Sequence, residues 1–213
     1  YGSAGGYFIT ACTQNQKILF DKEPVQNIIE KWWRELGNKF PTIELDAFVI
    51  MPNHIHGIIF LKDISDIKVA RPGDNIGVDV GVDLCVNPQK YNSRKNIKGR
   101  HIGPPEQGTV TGEQPTLGTI VQWYKTMVTN EYIRKVKSQN WEPFTKRLFQ
   151  RNYYEHIIRN EDSLNRIRHY IMTNPDRWEK DIENPKNIYE TGRVVSPKDY
   201  FLETYYQSIV EKD

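Results

Sequence analysis

The chain has 213 residues, 38% hydrophobic and 26% charged, with a formal net charge of +2. That length suits one domain, or one domain carrying a large insertion, and no stretch approaches the roughly 18 apolar residues of a membrane span. The weak positive charge argues little for a polyanionic partner, and two distant cysteines, Cys12 and Cys85, exclude a disulfide framework or thiolate zinc motif and make a reducing cytoplasm the expected compartment.

The chain opens on Tyr1-Gly2-Ser3 without a leading Met or a signal-peptide pattern, so an upstream segment is expected. The first element, Gly6-Tyr7-Phe8-Ile9-Thr10-Ala11-Cys12, is rich in residues that favour a pleated sheet. Val25, Ile28, Ile29, Trp32, Trp33 and Leu36 follow at spacings of three and four, which puts them on one helical face over a sheet. Pro24 suits the start of that helix and Pro41 follows its end. Two apolar runs, Leu45 to Met51 and His54 to Leu61, are joined by Pro52-Asn53 and read as a hairpin. Residues 63–115 lose all periodicity and read as an irregular surface insertion, with a small echo over Gly77 to Asp83. A second amphipathic helix carries Leu117, Ile120, Val121, Tyr124 and Val128, with Thr116 as its cap. A strand is expected around Tyr153 to Arg159. Asn160 then caps a third helix with Leu164, Ile167 and Ile171 facing inward, closed by Pro175. The tail from about residue 179 has no pattern. The expected fold is α+β, a ferredoxin-like antiparallel sheet with helices packed on it. One domain spans residues 1–178 and 179–213 form a C-terminal extension.

The strongest local signal is Met51-Pro52-Asn53-His54-Ile55-His56-Gly57. Side chains alternate along a strand, so His54 and His56 share one face, roughly 7 Å apart at the backbone, while Ile55 turns into the core. Two imidazoles so placed can converge on one ion, although two ordinary surface histidines on an edge strand share this spacing. On the third helix Tyr170 and Asn174 lie four residues apart on one face, and Arg166 precedes Tyr170 by four. Arg166 has the planar fork that holds a phosphate. Basic residues crowd positions 125 to 168, Lys125 and Arg151 among them, either as a phosphate-tracking surface or as a solvated face. Tyr124 is the rival to Tyr170, but its register with Ile120, Val121 and Val128 assigns it to the core, as it does Tyr132.

Gly6-Tyr7-Phe8-Ile9-Thr10, the run from Glu44 to Gly57, Gln150-Arg151-Asn152-Tyr153-Tyr154-Glu155-His156-Ile157-Ile158-Arg159 and Tyr170-Ile171-Met172-Thr173-Asn174-Pro175 together resemble the REP-associated tyrosine transposases of the single-tyrosine HUH superfamily. The likeness covers most of residues 5–62 and 116–178. It departs at Phe149, where Trp usually stands, which alters packing more than chemistry.

The resemblance implies a single-stranded DNA endonuclease. His54 and His56 match its histidine pair, Tyr170 its nucleophile, and Asn174 the position that completes the metal site. The implied cofactor is a divalent metal, Mg2+ or Mn2+, of which two imidazoles and an amide suit Mn2+ better. The implied substrate is single-stranded DNA with a hairpin, bound through Arg166, Lys125 and Arg151, by a monomer or homodimer in a bacterial cytoplasm with no membrane partner. Two other readings stay open: a silent DNA-binding protein of the same fold, and a His-metal hydrolase with a water nucleophile.

Overall fold

A computed structural model describes residues 3–63 and 114–190. Their order is β1 (Gly5–Cys12), α1 (Glu23–Lys39), β2 (Ile43–Ile50), β3 (His54–Leu61), α2 (Leu117–Gln139), β4 (Tyr154–Ile158), α3 (Glu161–Thr173) and α4 (Pro185–Glu190), with short 3-10 helices at Gln14–Gln16 and Pro175–Lys180. Nearly all of the expected insertion, the Gly77 to Asp83 echo included, lies outside the described residues, as do residues 191–213 of the expected extension. The boundary expected after residue 178 falls inside the second 3-10 helix. No described helix is long and apolar enough to cross a membrane.

The strands form one antiparallel sheet in the order β2-β3-β1-β4. This is the split βαβ arrangement of a ferredoxin-like fold. Alternation along β1 divides its side chains between two cores. Tyr7, Ile9 and Ala11 join Ile55 and Ile59 under α1 and α2, while Phe8 joins Ile58 under α3. The sheet is therefore covered on both faces, and β3 and β1 are its interior strands.

Helix ends follow the local chemistry. Pro24 sits in the first turn of α1, where its missing N–H costs nothing. The Thr116 side chain accepts from the Thr119 N–H, and that of Asn160 accepts from the Ser163 N–H. Five of the six apolar residues of α1 are buried. Trp32 is half-buried instead, because it reaches sideways to α2, where its indole N–H donates to Glu131 at 2.6 Å and its ring meets Trp123. Tyr124 and Tyr132 are core residues whose hydroxyls donate to the carbonyls of Ile29 and Glu142. Phe149 fills the space between the rings of Phe20 and Tyr124.

Two contacts set the height of the helices above the site. The register of β2 against β3 shifts between Leu45 and Phe48. There Asp46 accepts a bidentate pair from Arg168 of α3, at 3.0 Å from Nε and 2.6 Å from Nη2. On the opposite face Trp33 stacks on Phe48 with ring centroids 4.3 Å apart and lies directly over Gly57. A Cβ at Gly57 would come within 2.3 Å of the Trp33 ring.

Gly57→Ala should therefore destabilise the protein by about 1–3 kcal/mol, the usual penalty for overpacking a filled core. Urea denaturation checks this. An unchanged midpoint would mean that α1 has room to shift.

Candidate metal and tyrosine site

The turn Met51–Asn53 fixes the start of β3. The Met51 N–H donates to the His54 carbonyl, and the Pro52 carbonyl accepts from Leu19 and Phe20. His54 and His56 then project from an interior strand toward α3, and both are 0% exposed. The alternative of two ordinary surface histidines on an edge strand is thus excluded. The β4 edge lies two strands away, and α3 with the segment after it closes over the pair.

Every ring nitrogen of the two histidines has a neighbour. His54 Nδ1 lies 2.8 Å from Asn53 Oδ1, and His56 Nδ1 lies 2.8 Å from Thr10 Oγ1. The two Nε2 atoms face each other at 3.0 Å. Burial holds the pKa of His54 down to about 3 and that of His56 well below its ordinary value, with neighbouring His54 adding to the second effect. Both rings are neutral at physiological pH, the form in which imidazole binds metals.

Tyr170 and Asn174 arrive from α3. The Tyr170 hydroxyl is 3.2 Å from His56 Nε2 and accepts from Asn174 Nδ2 at 3.2 Å. Tyr170 is 6% exposed and Asn174 2% exposed, so both are more deeply covered than helix position alone suggests. Pro175 does end the α-helix. Asn174 keeps right-handed helical angles, however, and the chain continues as the 3-10 helix Pro175–Lys180. That continuation carries Asp181 to the histidines.

Asp181 has no signal in the sequence. Its Oδ2 lies 3.9 Å from His54 Nε2, is buried, and has no hydrogen-bond partner. Burial raises the Asp181 carboxyl to about 7. Ligand atoms of His54, His56 and Asp181 all lie within 4.8 Å of one another. Two neutral imidazoles beside an unpartnered carboxylate oxygen match what a divalent cation would satisfy. The residues present therefore fit a metal. Asn53 and Thr10, which hold the outer ring nitrogens, belong to the expected motifs but had no role assigned to them.

The basic residues expected on DNA are not equivalent. Lys125 directs its ammonium to the carbonyls of Gln150, Arg151 and Asn152, at 2.6, 3.2 and 3.3 Å. Burial lowers its pKa to about 8. It is a tie between α2 and the loop before β4. Arg151 is exposed and follows Gln150, whose N–H donates to the Cys12 carbonyl at the His54 end of the sheet. Arg166 is half-buried one turn before Tyr170, and Arg168 pairs with Asp46. His156 pairs in register with Phe8, two strands from β3.

No family model matches the chain. It is 35% identical over 189 residues to a Haemophilus influenzae protein described only as uncharacterized, covering 85% of this chain and 86% of that one. The chain belongs to one family with that protein. Among solved structures it is similar to a REP-associated tyrosine transposase bound to a REP hairpin, at 16% identity and a TM-score of 0.47, covering 83% of this chain and 70% of the other. It is also similar to a candidate transposase from Deinococcus radiodurans, at 13% identity and a TM-score of 0.37, covering 81% and 92%.

The Asp181 carboxyl gives the site a pH signature when metal is chelated. Its folded pKa of about 7 exceeds the unfolded value, which lies near 3.9. The folded state therefore holds a proton that the unfolded chain has lost, and the stability this gives disappears as pH rises from about 4 through 7. In EDTA, native protein should lose about 1–3 kcal/mol relative to Asp181→Asn between pH 5 and pH 8. Parallel stability curves would place Asp181 in an ordinary solvated setting.

Proposed function

We propose that this chain cuts single-stranded DNA with Tyr170 as nucleophile, assisted by a divalent ion at His54, His56 and Asp181. The observation that carries this reading is the position of the Tyr170 hydroxyl, 3.2 Å from His56 Nε2 at the edge of the histidine–carboxylate cluster. A water-using hydrolase needs no tyrosine there, and a plain DNA-binding protein needs no buried carboxylate with an unpartnered oxygen.

In this reading the Tyr170 oxygen attacks phosphorus and the bond to the 3′ oxygen breaks. The 3′ oxygen leaves as a hydroxyl, and the 5′ phosphate stays on the tyrosine. One phosphoester replaces another, so no external energy source enters. When bound, a divalent ion supplies withdrawal of charge from a non-bridging phosphate oxygen. Asn174 donates to the Tyr170 oxygen at 3.2 Å, and a donor there favours the charged phenolate. In the alternative arrangement, a turned Asn174 amide would give up that donation and present Oδ1, by which Asn174 would join the metal ligands as the family resemblance implies. The two rings stay neutral because they are buried, so their lone pairs remain available.

DNA cannot reach a phenol that is 6% exposed. Trp178 stands beside the cluster, its ring centroid 6.2 Å from that of His54, and in this reading the cover over Tyr170 moves aside for the strand to enter. The proposed substrate is a single strand bearing a hairpin, as the family resemblance implies. Arg166 and Arg151 are the proposed phosphate contacts.

Incubation with hairpin oligonucleotides and Mn2+ should give a protein–DNA adduct on a denaturing gel. Tyr170→Phe should abolish it and Tyr124→Phe should not. Losing the hydroxyl also leaves Asn174 short of a partner, at a cost of about 1 kcal/mol. Cutting that survives Tyr170→Phe would transfer the reaction to a water nucleophile.

Binding offers an independent check. The slope of log affinity against log salt should become shallower by about 0.7 for each of Arg151→Ala and Arg166→Ala on a single strand. Lys125→Ala should leave that slope unchanged and lower stability instead. Fluorescence anisotropy at several salt concentrations reads both. A slope that falls only with Lys125→Ala would reverse the assignment.

A further inference from the structure

Asn53 occupies the position before the histidine pair and is 0% exposed. Its Nδ2 donates to the Gln16 carbonyl at 3.1 Å and to the Glu183 carbonyl at 2.6 Å. Both amide hydrogens are thereby used, on acceptors that cannot donate. Flipping the amide would press Oδ1 against two carbonyl oxygens, so its orientation is fixed. Oδ1 then faces His54 Nδ1 at 2.8 Å as a pure acceptor. A neutral imidazole has one N–H, and this contact requires it on Nδ1. His54 Nε2 is left as a lone pair pointing at His56 and toward Asp181.

His56 is held differently. Its Nδ1 faces the Thr10 hydroxyl at 2.8 Å, and a hydroxyl can donate or accept. With His54 Nε2 a lone pair at 3.0 Å, metal-free His56 must carry its hydrogen on Nε2 and take one from Thr10 on Nδ1. Facing a cation, the same ring carries its hydrogen on Nδ1, and Thr10 accepts it. One ligand is fixed and the other is adjustable.

We propose that Asn53 is a positioning residue for metal binding: latched by the Gln16 and Glu183 carbonyls, it holds His54 in the Nδ1–H tautomer and presents Nε2 as a ready ligand. This rests on the reading of the cluster as a metal site, and it adds which residue prepares the site before any ion arrives. Outer contacts of this kind orient metal-binding histidines. Here the latch includes the backbone of the C-terminal segment, so closure of residues 181–184 and preparation of His54 are one event.

The test uses the full chain with 15N-labelled histidine, free of metal and at neutral pH. Two-bond proton–nitrogen correlation spectra, with His54 identified by comparison with His54→Gln, should show His54 with its hydrogen on Nδ1. Asn53→Leu should lose that fixed tautomer and bind Mn2+ roughly 10-fold more weakly or worse by titration calorimetry. Native His54 with its hydrogen on Nε2 overturns the proposal, whether or not a variant folds. So does folded Asn53→Leu with native tautomer and affinity. Native protein that shows the Nδ1–H tautomer and binds Mn2+ yet forms no adduct upholds this proposal and sinks the nuclease reading.

Discussion

Burial of two imidazoles on an interior strand is the constraint around which the described structure is built. Removing a ring from water without partners costs several kcal/mol, and His54 and His56 are both completely covered. Their outer nitrogens are met by Asn53 and Thr10, and Tyr170 closes on the inner nitrogen of His56. Each of those partners is itself placed by something else. Asn53 is held by two carbonyls, Thr10 by its register opposite His56, and Tyr170 by the packing of α3. Apolar packing would satisfy the same space more cheaply, so retaining two histidines there needs a ligand to justify it.

The third helix turns a common two-layer fold into one with an enclosed polar site. In a ferredoxin-like sheet the two crossover helices share one face, here α1 and α2. α3 covers the other face over Phe8 and Ile58, and Arg168 fixes its lateral position by gripping Asp46 where β2 loses register. Arg168 and Arg166, two residues apart on a helix, point to nearly opposite sides. One is a structural clamp on β2, and the other is carried on the Tyr170 side. Gly57 performs the matching task below the sheet, since the flat approach of Trp33 depends on a missing Cβ one residue from His56.

Much of this was legible in the sequence because it depends on periodicity and short motifs. The apolar stripe of α1, the caps Thr116 and Asn160, and the alternation of His54, Ile55 and His56 are local signals, and each became the expected element. Tyr124 also went to the core as its register required. Asp181 was not legible. It reaches His54 only because the chain beyond Pro175 continues as a 3-10 helix and folds back, and that path leaves no repeating pattern. The depth of the site was hidden for a similar reason, since alternation tells which face a side chain takes but not what covers that face. The ties of Lys125 were hidden for another reason. Its position in a basic run says nothing about three backbone carbonyls supplied by a loop 25 to 27 residues later.

Charge balance in the enclosed site decides what it can hold. Without an ion it contains two neutral rings, a phenol and a carboxyl that burial raises to about 7. No fixed positive charge faces Asp181 there, and its free oxygen is the one buried side-chain atom without a hydrogen-bond partner among the described residues. Below neutral pH the metal-free site is thus close to uncharged, which makes its burial tolerable. A divalent ion would change this, because it would favour the ionised carboxylate, draw on the His54 lone pair already facing inward and turn His56 to its Nδ1–H form. Proton release and ion uptake are then two sides of one equilibrium, and affinity for the ion rises with pH until Asp181 is ionised without help. In the proposed reaction the same ion would favour a charged oxygen on Tyr170 beside it, so the group that completes the ligand set would also set when the phenol becomes a nucleophile.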